Sequence, residues 1–131
     1  DRDALLLGIG QISLETTDMD RAVTFFRDTL GLTHLFTFPH ATGSLSFFDC
    51  AGVRLFVTSH EDRALEKSSV IYFRVDDIQA AYDRLLARGV PFEGAPHLIH
   101  RHETGIEEWM AFFRDPDENV LALMSQVTPA G

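Results

Sequence analysis

One pattern occurs twice in this chain, and that repetition limits its fold more than any other feature. Ile12-Ser13-Leu14-Glu15-Thr16 alternates apolar and polar residues, as a half-buried strand does. Asp18 then stands as a helix cap, and Met19, Ala22, Val23, Phe26 and Leu30 recur at helical spacing until Gly31 ends the run. Fifty-nine residues later Val70 to Val75 reads as a strand and Asp77 takes the place of Asp18. Ile78, Ala81, Tyr82, Leu85 and Leu86 line one helix face before Gly89 stops it. A repeat of this kind sets the architecture, because each copy has the same apolar face to bury.

Three strand-like runs follow each helix. In the first half they are Thr33 to Phe38, Ser44 to Asp49 and Val53 to Thr58, punctuated by Pro39, Gly43 and Gly52. In the second they fall near Pro91 to Gly94, Glu108 to Arg114 and Asn119 to Ser125, with Asp115-Pro116-Asp117-Glu118-Asn119 turning the last pair into a hairpin. Each half is therefore β-α-β-β-β. One helix covers only one face of a four-stranded sheet, so two such halves can curl around a shared cavity. The expected fold class is α+β: two tandem βαβββ modules forming a curled mixed sheet around one cavity. A single domain over 1–131 is expected, with module one at about 8–62 and module two at about 69–126. The polar stretch Glu61 to Ser68 is the linker.

Bulk composition removes several functions. At 131 residues, a folded chain buries roughly two-thirds of its unfolded surface, enough for a core without staples. The net charge is −9 and the basic residues are scattered singly, whereas nucleic-acid binding needs them clustered. Nucleic acid and anionic membranes are thus excluded as expected partners, while a cationic small molecule suits the field. Cys50 is the only cysteine, so no intramolecular disulfide forms and a reducing compartment fits. No apolar run is long enough for a signal peptide or a membrane span. A cytoplasmic location is the expectation.

With those modules in view, the chain resembles the vicinal oxygen chelate superfamily, which includes glyoxalase I, extradiol dioxygenases, methylmalonyl-CoA epimerase, fosfomycin-resistance enzymes and bleomycin-binding proteins. The resemblance rests on the paired βαβββ modules, the strand-Asp-helix-Leu-Gly pattern of Leu14 to Leu32 and the turn Phe113 to Asn119, and it covers Gly8 to about Gln126. The family's usual glycine after Asp-Pro-Asp is Glu118 here, a departure expected to cost little. The fold hosts several chemistries, so function has to be argued from residues.

The resemblance implies a divalent metal held by His, Glu or Gln on the first and last strands of each module. Carried over, those positions are Gln11, Phe56, Val70 and Ala122. Only Gln11 offers a donor, and Leu55, Val57, Leu121 and Leu123 offer none at a register one residue away. The expectation is no cofactor, with a divalent metal disfavoured. A homodimer is also implied, and burying exposed sheet edges supplies a physical motive.

Other polar groups remain. His97-Leu98-Ile99-His100-Arg101-His102-Glu103, followed by Glu107 and Glu108, reads as a solvated loop between the second and third strands of module two. If extended, it places His100 and His102 on one face, where they can line a pocket, act as acid–base groups or bind a metal. Ser13 shares a face with Gln11. Trp109 is a candidate ligand stacker or a rim residue. Of the eleven phenylalanines, Phe25, Phe26, Phe73 and Phe112 are expected to pack the helices on the sheets, and Phe56 to face the cavity. His40 and His60 read as loop histidines, and Cys50 as an unreactive thiol. Two readings follow. The first is a metal-free small-molecule binder of the bleomycin-resistance type, using Gln11, Ser13, Phe56, His100, His102 and Trp109. The second is a lyase or dioxygenase-like enzyme with a relocated metal or a histidine acid–base.

Overall fold

A computed structural model describes residues 9–62, 64–66 and 69–128. The chain divides into two compact units, Asp1–Glu66 and Lys67–Gly131. The first contains strand β1 (Gln11–Thr16), helix α1 (Met19–Val23), a π-helical turn (Thr24–Thr29), and strands β2 (Thr33–His40), β3 (Gly43–Cys50) and β4 (Val53–Ser59). Its sheet order is β1-β4-β3-β2, with β1 parallel to β4 and the other pairs antiparallel. The second unit repeats this order with β5 (Ile71–Arg74), helix α2 (Ile78–Ala87), β6 (His97–Arg101), β7 (Glu107–Arg114) and β8 (Val120–Val127), arranged β5-β8-β7-β6. Both halves are thus βαβββ, as the repeat requires.

Asp18 and Asp77 both cap their helices: each side chain accepts a backbone N–H three residues on, from Arg21 at 3.1 Å and from Ala80 at 3.0 Å. Gly31 (φ +82°) and Gly89 (φ +89°) end the helical segments in the left-handed region that side chains resist. The first helix departs from the expected uniform α-helix. After Val23 it widens, and the Leu30 N–H reaches back five residues to the Phe25 carbonyl at 2.9 Å. A wider turn swings successive side chains closer to a common face, and the adjacent Phe25 and Phe26 are both buried against the sheet. Their rings meet edge to face at 5.2 Å, and Phe26 packs on Phe48 at 5.7 Å.

Strand alternation separates the two faces of each sheet. In module one Leu14, Leu55, Val57 and Phe48 are buried on the helix side. In module two Leu121, Leu123, Ala111 and Phe113 do the same. The hairpin between β7 and β8 is held by Asp115, which is buried, accepts the N–H groups of Asp117 and Asn119 at 2.9 Å, and takes the Asn119 amide at 2.8 Å.

Two expectations need correction. The second strand of module two is His97–Arg101, not the stretch near Pro91–Gly94, where Phe92 makes only an isolated bridge to Phe113. Pro91 has no N–H to give a ladder, and the Phe92 ring is held by Tyr82 at 4.7 Å and Phe113 at 5.2 Å. His97 and His100 therefore lie on an edge strand, not in a solvated loop. A register shift between Leu98 and His100 breaks the alternation that marks a strand in sequence. Glu118 also costs more than expected: its φ of +67° is the left-handed conformation that the family's glycine adopts freely, a cost of about 1 kcal/mol for a residue with a side chain.

Candidate functional site

The open face of the first sheet carries an ordered grid. Ser13 pairs with Phe56, Phe56 with Phe47, and Phe47 with Phe36, so one row crosses all four strands. A second row runs Glu15, Thr58, Leu45, Phe38, and Gln11 begins a third beside Arg54 and Asp49. Phe47 stacks on Phe56 at 5.4 Å and meets Phe36 at 4.9 Å, while Phe38 stacks on Phe36 at 5.7 Å. The Arg54 guanidinium sits 5.3 Å above the Phe47 ring. Phe36 is 46 % and Phe38 41 % exposed, far more than phenylalanines that serve a core.

Polar groups edge this aromatic surface. Glu15 faces His60 at 3.6 Å, and the His60 ring lies edge-on to His40 at 5.3 Å. His40 Nε2 bonds the Ser59 carbonyl at 2.9 Å, so that nitrogen carries the proton. His40 Nδ1 then accepts from the Thr42 N–H at 3.2 Å, which fixes the tautomer. The Thr42 hydroxyl reaches His60 Nδ1 at 3.1 Å. His40 and His60 are thus linked members of a network, not loose loop histidines. Cys50 lies at the end of β3; burial and the adjacent Asp49 push its thiol above the ordinary 9.0, which keeps it protonated at neutral pH.

The open face of the second sheet is built differently. Its rows run Tyr72-Ala122-Phe112, Arg74-Met124-Met110-His97 and Gln126-Glu108-His100. His102, one residue beyond β6, donates from Nε2 to Glu108 at 2.7 Å, and the Gln126 amide donates to the same oxygen at 2.8 Å. The His100 and His102 rings meet at 4.6 Å. These donors hold the Glu108 carboxyl below its ordinary 4.5, the His102 bond first.

The candidate residues therefore fall into three groups. Gln11, Ser13 and Phe56 share the open face of module one. His100 and His102 share that of module two. Trp109 is on the opposite, helix-covered face, because it neighbours Glu108 in a strand and adjacent side chains point opposite ways. There it lines a cleft of about 440 Å³ with Ser125, Glu107 and the start of α2. Its indole N–H donates to Glu107 at 3.0 Å. Phe36, Phe38, Phe47 and Arg54 were not legible as site residues, because a register shift between His34 and Phe36 is what brings the β2 rings over Phe47.

Comparison with known proteins places this architecture. A family model described as the Glyoxalase/Bleomycin resistance protein/Dioxygenase superfamily matches residues 8–123. The chain belongs to that superfamily. It is 30% identical over 129 residues to the uncharacterized protein YraH of Bacillus subtilis (strain 168), covering 86% of this chain and 94% of YraH. Among solved structures it resembles TnmS3, an antibiotic binding protein from Streptomyces sp. CB03234, with a TM-score of 0.72, 23% identity, and coverage of 95% and 99% of the two chains. It also resembles lactoylglutathione lyase from Agrobacterium tumefaciens, with a TM-score of 0.70, 24% identity, and coverage of 93% and 96%.

The superfamily's divalent metal was tested against the residues present. In module one the implied positions are Gln11 and Phe56, and the Phe56 ring is committed to Phe47. In module two they are Val70, which precedes β5, and Ala122, which is fully buried. Hydrocarbon side chains donate no lone pair, so this set does not fit the metal. Among the described residues, no group of three or more His, Cys, Asp or Glu side chains is arranged to hold one elsewhere. No described helix is long and apolar enough to cross a membrane.

Proposed function

We propose that this superfamily member is a metal-free small-molecule binder that recognises a flat, largely apolar ligand. The observation that carries the reading is the row of half-buried Phe56 and Phe47 and exposed Phe36, with exposed Phe38 beside it. Four rings on one sheet face offer a stacking surface, and Gln11, Ser13 and Arg54 at its border supply hydrogen bonds. The antibiotic-binding description of TnmS3 supports a binding role on the same fold. The reading includes a homodimer, which light scattering measures.

The experiment is a calorimetric titration of untagged protein with 2-naphthol, a neutral planar probe. Saturable binding is expected, with Phe47→Ala and Phe56→Ala together weakening it by at least about tenfold while the fold is kept. That corresponds to the loss of two ring contacts of roughly 0.5–1.5 kcal/mol each beyond area. Unchanged affinity in the double variant sinks the reading. Elemental analysis of protein purified without chelator is expected to find well below one divalent metal per chain; a value near one overturns the metal-free part.

A second reading, an acid–base enzyme, draws on the His102–Glu108 pair at 2.7 Å with His100 against it. Replacing both histidines with glutamine separates the two. A binder keeps its 2-naphthol affinity within a few-fold, whereas an enzyme loses turnover by about 10²–10⁴-fold.

A further inference from the structure

The helix-covered side of module two holds an unexplained polar atom. Ser125 is 1 % exposed, and its hydroxyl is the one buried side-chain polar atom among the described residues without a hydrogen-bond partner. An orphaned buried hydroxyl is costly, and native structures rarely keep one without a purpose. The repeat makes the anomaly sharper. Its counterpart in module one, Ser59, accepts the Ser44 N–H at 2.9 Å and meets the Ser44 hydroxyl at 3.2 Å. In module two the residue paired with Ser125 is Trp109, which sends its only polar hydrogen to Glu107. Nothing is left for Ser125.

Ser125 is one of the residues lining the cleft of about 440 Å³ between the start of α2, the start of β7 and the end of β8, a size within the usual range for small-molecule sites. Trp109 offers the aromatic surface, and Ile78, Pro96 and Val127 add apolar lining. The charged lining residues are all carboxylates: Asp76, Asp77 and Glu107. Glu107 is already compensated, since Arg101 Nε donates to it at 2.8 Å. Asp77 accepts the Ala80 N–H and so answers the positive end of the α2 dipole. Asp76 is exposed and carries no ion pair among the described residues, so one full negative charge faces the opening. A helix start alone would favour an anion; here a carboxylate already occupies that position and two more flank it.

We propose that this cleft is a second ligand site, distinct from the aromatic face of module one, and that it takes a cationic aromatic amine. The ligand's ring lies on Trp109, its ammonium group is held by the Asp76 and Asp77 carboxylates, and Ser125 Oγ accepts a hydrogen bond from it. Ammonium over an indole face gains further from the ring quadrupole.

Trp109 is the only tryptophan in the chain, so its emission reports this cleft and not the phenylalanine face. The test titrates the full chain with 2-phenylethylammonium, 2-phenylethanol and 3-phenylpropanoate while following Trp109 fluorescence. Expected is a saturable change with the ammonium compound, binding at least about tenfold weaker for the alcohol, and none for the carboxylate. Asp76→Asn with Asp77→Asn, which leaves an asparagine that can still cap α2, is expected to weaken the ammonium compound by about tenfold, and Ser125→Val by about fivefold. Phe47→Ala with Phe56→Ala leaves this curve within about twofold, which separates the cleft from the module-one reading. If Ser125→Val does not fold, Ser125→Ala serves in its place. No saturable change up to about 10 mM, equal binding of the alcohol, preference for the carboxylate, or dependence on the Phe56 face each overturns the proposal.

Discussion

Both modules have the same strand order, the same aspartate cap and the same glycine stop, yet they leave different surfaces for use. Module one closes its helix side: the π-helical turn drives Phe25 and Phe26 into the sheet, and Ser44 and Ser59 satisfy each other. What it leaves available is the open face, paved with phenylalanine. Module two has a regular α2, and beyond its start the helix side opens into a cleft that exposes Trp109 and strands Ser125. Its open face mixes Tyr72 and Phe112 with two methionines, histidines, Arg74 and Glu108. A repeat therefore dictates backbone but not site. One copy has specialised on each side of its sheet.

The largest test of that contrast lies at the start of β3. A Cβ added to Gly43 would sit 2.1 Å from the Ser59 carbonyl oxygen and 2.7 Å from its carbon, both backbone atoms that cannot swing away. Gly43→Ala is expected to cost about 3 kcal/mol, the upper end of ordinary overpacking, measured by urea unfolding. The residue one place before Trp109, as Gly43 is one place before Ser44, is Glu108, whose side chain already stands on the open face. Glu108→Ala is expected to cost less than about 1 kcal/mol. Equal effects at the two positions would show that backbone crowding at the start of β3 does not set module one apart and would weaken the contrast.

The paired serines give a smaller effect of opposite sign. Ser59→Ala removes an acceptor from the half-buried Ser44 N–H and is expected to destabilise by about 1 kcal/mol. Ser125→Ala removes a hydroxyl that has no partner, so it is expected to stabilise by about 1 kcal/mol. Thermal melts of the two variants, run without added ligand, check both. A stabilising Ser125→Ala would mean that the hydroxyl is kept at a cost to the fold, as site residues commonly are. A destabilising one would mean that Ser125 has a structural partner and the cleft loses its distinguishing feature.

How much of this was legible in the sequence depends on which physical signal carried it. Periodicity, caps and glycine stops mark both modules and the order of elements along the chain, because the βαβββ pattern repeats fifty-nine residues apart, while the strand order within each sheet comes from pairing. The second strand of module two was misplaced, since Leu98-Ile99-His100 breaks alternation through a register shift that only pairing reveals. Period-two reasoning puts Gln11 and Ser13 on one face, the family resemblance turns Phe56 toward the cavity, and strand pairing sets all three on the same face. Phe36 and Phe38 were visible as strand residues but not as site residues, because their neighbourhood depends on β2 pairing with β3. Sequence reasoning groups Trp109 with the histidines in one site, whereas strand pairing puts it on the opposite face, because it neighbours Glu108, which pairs with His100. Ser125 carried no local signal at all. Its meaning comes from comparing what Ser59 has with what Ser125 lacks.

The least costly way to sharpen the contrast is pH. In module two, the Arg101 and Trp109 hydrogen bonds hold Glu107 below 4.5, and the His102 and Gln126 bonds do the same for Glu108. Both carboxyls lose more protons in the folded chain than in the unfolded one, so each contributes stability that is present above 4.5 and is lost as the pH falls through its lowered folded value. Asp115 has the opposite sign. Burial, its largest influence, raises it above 3.8 despite the bonds from Asn119 and Asp117, so its contribution is present below 3.8 and is lost as the pH rises through its folded value. The contribution that Glu107 and Glu108 make to module-two stability is therefore expected to fall in acid, below about pH 4.5. Glu108→Gln should flatten that acid limb, and high salt should flatten it less, because hydrogen bonds lead the shift and Coulombic attraction follows. Both effects are small because these side chains border solvent, and unfolding followed from pH 3 to pH 6 by Trp109 emission reads them in this module. An acid limb unchanged by Glu108→Gln would mean that the His102–Glu108 contact forms no lasting bond in solution, and the acid–base reading of that face would lose the pair on which it chiefly rests.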